Sequence, residues 1–145
     1  MTASNVHADI RAAGRQALLA IPSGLPTVRE WEGEVFSSTV GVPFLREQVV
    51  AQPSQLRSAG ASGAIGRTVM HQMQLVWTLF YPIGRGTLQI EQAAGVLMTS
   101  FAPGKSLSYG GSSAIIQQCA RTGLRQEPDW ISCTVTATIV AYTFD

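Results

Sequence analysis

The chain has 145 residues, 46% of them hydrophobic, and a formal charge of +1 from ten basic and nine acidic side chains. That length supports one domain with a sizeable core, and the near-zero charge excludes bulk electrostatic attraction to nucleic acid or to an acidic membrane. Nine of the ten bases are arginine and Lys105 stands alone, a bias that fits a GC-rich genome before it fits a preference for hydrogen-bonded subunit contacts.

No apolar run reaches the roughly 20 residues that span a bilayer, and the start lacks a basic stretch followed by a hydrophobic one. The expectation is a protein that neither crosses a membrane nor leaves by the Sec route. Two cysteines, Cys119 and Cys133, are too few for a disulfide scaffold, so a reduced cytoplasmic setting is the default.

In chain order, Val6, Ile10, Ala13, Ala17 and Leu18 fall at helical spacing and predict a first amphipathic helix from about Ser4 to Ala20. Ser4 or Asn5 is placed to cap it, Asp9 suits its dipole, and Pro22, Gly24 and Pro26 end it. Thr27 to Ser38 is polar and irregular, as expected of an edge strand whose charges discourage unwanted pairing. If extended, it sets Glu30, Glu32 and Glu34 on one face, a solvated edge before a cation site. Phe44 to Ala51 reads as a second strand, with Leu45, Val49 and Ala51 on one side, pairing with the longer strand that follows.

Between them, Gln52 to Arg67 holds only Leu56 and Ile65 as sizeable apolar groups. A mobile hairpin loop is expected there, and connections of this length are usually functional or ordered on binding. The next stretch organises the chain. From Val69 to Tyr81 one parity reads Val69, His71, Met73, Leu75, Trp77, Leu79, Tyr81, a buried face, while the other is mixed. At roughly 3.3 Å per residue this strand would span about 45 Å, against about six residues in a typical strand. Pro82, Gly84 and Gly86 turn the chain into a second helix, whose Ile90, Ala94, Leu97, Met98 and Phe101 share one face. Thr87 is a possible cap without a capping box.

Ser106 to Tyr109 and Ala114 to Arg121 read as short strands, and Ile131 to Ala141 as a clear one. Its odd positions are apolar and its even positions form a threonine ladder facing water or a neighbour. A turn at Gln126 to Asp129 closes the last hairpin and, centred near Gln126, would set Cys119 opposite Cys133. That pair is read as two buried thiols, with a disulfide as the alternative.

No constellation carries chemistry. His7 and His71 lack a third ligand, and His71 shares the core parity, as a buried, hydrogen-bonded histidine would. No serine lies in GxSxG. Gly84-Arg85-Gly86-Thr87 precedes a helix but lacks the lysine of GxxxxGKS/T and the third glycine of GxGxxG, so it reads as a plain strand-to-helix turn. No cofactor is expected. The fold class is α+β: a mainly antiparallel twisted sheet with a long central hairpin, and two amphipathic helices on one face.

The order of parts is similar to one known family. A first helix ending Ala20-Ile21-Pro22, a strand near Trp31-Glu32, the entry Val42-Pro43-Phe44-Leu45-Arg46, the long strand ending Phe80-Tyr81-Pro82-Ile83-Gly84-Arg85-Gly86, a helix and a final hairpin resembles the tail terminator-like proteins of long-tailed bacteriophages. The resemblance spans nearly the whole chain as one domain over residues 1–145. It implies a structural virion protein, not an enzyme, forming a homohexameric ring at the head-proximal end of the tail after assembly in the host cytoplasm. Such a ring caps the tail tube protein, ends tail polymerisation and presents a joining surface to the head-tail connector protein. It implies no membrane partner and no sequence-specific nucleic acid, although DNA passes through the ring. Ring contacts must be head-to-tail, and the residues expected to make them are Gln55, Leu56, Arg57, Ile65, Arg67, Arg85, Thr134, Thr136 and Thr138. Competing expectations are a neck completion protein of similar fold, a small-molecule binder or enzyme with a pocket lined by Trp77, Tyr81 and Met98, or a plain cellular adaptor.

Overall fold

The alternation of period two does form one of the two longest strands, because branched and aromatic side chains on one parity can be buried while the other stays half polar. In chain order the elements are α1 (Val6–Leu19), β1 (Val28–Glu30), β2 (Phe44–Ala51), β3 (Gln55–Ser58), β4 (Thr68–Pro82), α2 (Leu88–Ser100), β5 (Ser106–Tyr109), β6 (Ser112–Arg121), β7 (Arg125–Gln126) and β8 (Trp130–Phe144). They belong to a computed structural model that describes residues 5–58 and 68–144.

One sheet runs in the order β1-β2-β4-β8-β6-β5, with β3 also on β4 and β7 also on β8. The fold is α+β, but the sheet is mixed: β1 lies parallel to β2, while the other pairings are antiparallel. The predicted edge strand over Thr27 to Ser38 shortens to Val28–Glu30. Beyond it the three glutamates do not form a row. Glu30 pairs with Arg46, and Glu32 pairs with Arg11 at 2.7 Å, so arginines take the place of a cation. Part of the predicted loop is also a strand, since Gln55–Ser58 pairs with Thr68–Met70. Residues 59–67 of that loop lie outside the described residues.

Both helices cover the face carrying the odd-numbered residues of β4 and β8. Ile10 and Leu18 of α1 and Ile90, Ala94 and Leu97 of α2 close over Leu75, Trp77, Leu79, Val135 and Ile139. Trp77 is 1% exposed and its ring lies 4.2 Å from that of Phe101. Gly14 lets α1 approach the sheet closely, because a Cβ there would sit 2.7 Å from Leu75 Cδ1. Neither expected cap is made. Asn5 and Thr87 occupy the N-cap positions, but both have near-helical ψ, −10° and −12°. The extended N-cap geometry that aims an oxygen at the free amides is missing. Asp9 instead accepts a hydrogen bond from the buried Ser112 hydroxyl, tying α1 to the β5–β6 turn.

The last hairpin turns later than predicted. Gln126 faces Ile131 and the Glu127 amide donates to Trp130 O at 2.8 Å. With a register shift between Ile116 and Gln118, Cys119 stands opposite Ala137 and not Cys133. The cysteines are free thiols, not a pair. Burial pushes both upward from the ordinary thiol range, which keeps them protonated and poorly reactive at neutral pH.

One charged residue sits on the buried parity. Glu47 is 4% exposed. Arg15 grips its carboxylate with Nη2 at 2.6 Å and Nε at 2.8 Å, Arg11 adds a contact at 3.4 Å, and the Glu32 amide donates at 3.3 Å. The network fastens α1 and the turn after β1 to β2. Arg15→Ala leaves a buried carboxylate underpaired and should cost about 2–3 kcal/mol in urea unfolding. That is below the loss for a fully buried pair, because Arg15 is 29% exposed and Arg11 remains. Adding Glu47→Leu should recover most of it, since the uncompensated charge is then gone.

Candidate assembly surface

Because β2, β4 and β8 pair without slippage, their even-numbered residues form rows on the face opposite the helices. The rows read Phe44–Phe80–Ser132, Arg46–Thr78–Thr134, Gln48–Val76–Thr136 and Val50–Gln74–Thr138. Among the described residues no helix covers this face, and the three threonines are half-buried. Thr134 Oγ1 lies 3.2 Å from Thr78 Oγ1, a hydroxyl pair that keeps part of the ladder satisfied before any partner arrives.

One end of the face is aromatic. Phe44 stacks on Phe80 at 4.6 Å, Trp130 meets Phe44 edge-on at 5.2 Å, and Phe36 leans on Phe44 at 5.1 Å. Arg46 lays its guanidinium over Phe80, 4.7 Å from the ring centre, while paired with Glu30. A concavity of about 570 Å³ opens there, with Arg46, Thr78, Arg125, Trp130 and Thr134 in its walls. Sequence reasoning missed this cluster. Its signal is three large aromatics on the polar parity, which gains meaning only once the register brings Phe44 and Phe80 side by side.

The other end holds Gln55 and Arg57 on the same open face, since Gln55 pairs with Met70. Arg57 donates to the Met70 sulfur at 3.1 and 3.3 Å, a weak acceptor that leaves the guanidinium most of its capacity. Leu56 points to the helix side and is 59% exposed. Arg85 is not part of this surface: it lies past the far end of β4, where its Nη2 donates to Gly41 O at 3.0 Å. Ile65 and Arg67 lie outside the described residues. The predicted pocket of Trp77, Tyr81 and Met98 does not form, because Trp77 is core and Met98 packs against it. Tyr81 reaches a separate shallow groove beside Pro43 and Arg85.

His71 ties the start of β4 to the segments on either side of it. Its Nδ1 is 2.8 Å from Ser54 Oγ, at the break between β2 and β3, and its Nε2 is 2.8 Å from Thr143 Oγ1 near the end of β8. The His7 ring stands edge-on to it, 5.9 Å between centres. Among the described residues, no group of three His, Cys, Asp or Glu converges as a metal site, and no helix is long and apolar enough to cross a membrane.

The fold is a helix-backed mixed sheet whose other face, among the described residues, is uncovered and carries hydrogen-bonding side chains. The sequence profile of the phage tail terminator protein family matches residues 9–137, and the chain belongs to that family. It is therefore a structural component of a bacteriophage tail. A search of curated proteins finds no match. A solved structure covered over 98% of its length aligns with 100% of this chain at a TM-score of 0.60 and 18% identity, a likeness of fold.

Burial first, and then the charge of His7, lowers the pKa of His71 from its ordinary value of 6.5. The unfolded chain therefore binds a proton at a higher pH than the folded one, and stability is lost as pH falls through 6.5 toward the folded pKa. Thermal unfolding between pH 7.5 and 5 should show this decline, and His71→Gln should flatten it.

Proposed function

We propose that this tail protein is the single-domain subunit of a closed ring, six copies by family resemblance, at the head-proximal end of the tail. The ring caps the tail tube, ends its polymerisation and offers the head connector its joining surface. Assembly takes place in the host cytoplasm, and DNA passes through the ring without sequence-specific contact. The observation that carries this reading is a family match over residues 9–137 in a chain whose open sheet face has a threonine and glutamine middle and an aromatic end. Such a face stays soluble in a monomer and closes on assembly, against the tail tube, through hydrogen bonds. Gln55, Arg57, Thr134, Thr136 and Thr138 lie on that face, and Arg85 serves a contact at the opposite end of β4.

The direct test is solution mass by light scattering across a concentration series, alone and with purified tail tubes, with microscopy of any large species. A closed ring, or a monomer that forms one on tubes, is expected. A monomer or dimer indifferent to tubes overturns the reading. Thr136→Lys, at the centre of the open face, should leave the circular dichroism and the melting temperature nearly unchanged while abolishing the binding of tail tubes, because a surface lysine folds at little cost but desolvates poorly in an interface.

A further inference from the structure

We propose that the copies join through their sheet edges: the outer edge of β6 over Gln117–Arg121 pairs antiparallel with the outer edge of β3, Gln55–Ser58, of a second copy. The inference rests on the ring reading above and specifies its contact.

Both edges have main-chain groups to offer. The inner side of β6 pairs with β8, but its outer side is covered by β5 only as far as Ile115. Ile116 then exchanges bonds with Gly104 and Lys105 at 2.7 and 2.9 Å. Past the bulge, the Thr122 amide donates to Thr134 O at 2.9 Å, facing β8. By alternation Ala120 and Gln118 also face β8, and Cys119 and Arg121 direct their amides and carbonyls outward. Among the described residues nothing receives them. On the other flank, β1 covers β2 only at Phe44–Arg46, and the Val49 amide reaches the Glu32 carboxylate at 3.4 Å. The outer edge of β3 is left. Neither stretch contains proline or lysine, and each carries a single charge, Arg57 and Arg121, which the proposed register does not set opposite one another.

Strand direction selects the geometry. β3, β4, β8 and β6 alternate in direction, so a neighbour placed beside β6 by rotation about an axis roughly along the strands presents its β3 antiparallel. The two edges also sit at different heights. β3 lies level with Thr143 of β8 and the free part of β6 with Ala137, a stagger of about 20 Å at roughly 3.4 Å per residue. A stagger of this kind is what strands need in order to tilt around a closed ring. Faces fix the register. Leu56 and Cys119 both point to the helix side, so setting Leu56 opposite Cys119 makes both faces continuous between copies and buries a leucine that is 59% exposed.

Leu56→Cys in the otherwise native chain tests this, because cross-strand cysteines lie within disulfide reach. With oxidised glutathione, and with tail tubes if these are needed to form the ring, the variant should give a non-reducing ladder beyond two copies that Cys119→Ser abolishes. Arg57→Cys, on the opposite face, should give none. In the wild-type ring the amides of Cys119 and Arg121 should exchange at least about tenfold more slowly than in the monomer. A ring without the ladder and with those amides still fast overturns the edge contact and leaves the ring reading standing. A product that stops at two copies points to β6 pairing with β6 and overturns it as well. No ring under any condition removes both.

Discussion

The pairing of β4 with β8 is the constraint on which the rest depends. Fifteen residues of each strand match without a break, from Thr68 opposite Phe144 to Pro82 opposite Trp130. A slip of one residue would turn every side chain of one strand to the wrong face. The pair therefore couples two parities along its whole length: Met73 with Ile139, Leu75 with Ala137 and Trp77 with Val135 inward, Gln74 with Thr138, Val76 with Thr136 and Thr78 with Thr134 outward. Among the described residues, register shifts occur where β3 and β6 join the flanks. The irregularities are placed where slippage costs least burial, and where a bulge can set an edge free.

Everything on the inner face follows from that register. α1 approaches through Gly14 over Leu75, α2 ends with Phe101 against Trp77, and the core is closed without a partner. Glu47 is the exception on this face. It continues the parity of Leu45 and Val49, yet is a carboxylate, and it is tolerated because Arg15 and Arg11 come down from α1 to meet it. A hydrophobic residue there would pack as well, but α1 would then be held by its apolar contacts and by Asp9 on Ser112 alone, without the bidentate grip that fixes it over β2.

Much of this was legible from residue patterns, for reasons that can be named. β2, β4, α2 and β5 were readable because their periodicity is local, and β4 began and ended within a residue or so of where its alternation did. What escaped depended on pairings between distant segments. The cysteine pair was misplaced because the turn lies past Gln126 and each bulge moves the register by one. The three-glutamate row failed because Trp31 onward bends away and Arg46 and Arg11 compete for the carboxylates. Of the expected contact residues, the threonine ladder shares a face with Gln55 and Arg57, but Arg85 does not, since a residue beyond the far end of a fifteen-residue strand is far from both. The stacked Phe44 and Phe80 were invisible as a pair, being 36 positions apart in the chain.

The same logic explains how this architecture persists while residues change. A solved protein of similar fold shares only 18% of its residues with this chain. Parity patterns survive such divergence, because any apolar residue on the inner parity and any polar residue on the outer one preserves burial to first order. Contacts built on main-chain edges and on short hydroxyl and amide side chains tolerate drift in the same way, since the backbone offers the same donors whatever the side chain. The aromatic end is different. Phe44, Phe80, Trp130 and Arg46 form a specific shape with specific electrostatics. A surface divided like this can separate two tasks, with generic backbone-led pairing along the sheet and selective recognition at one end.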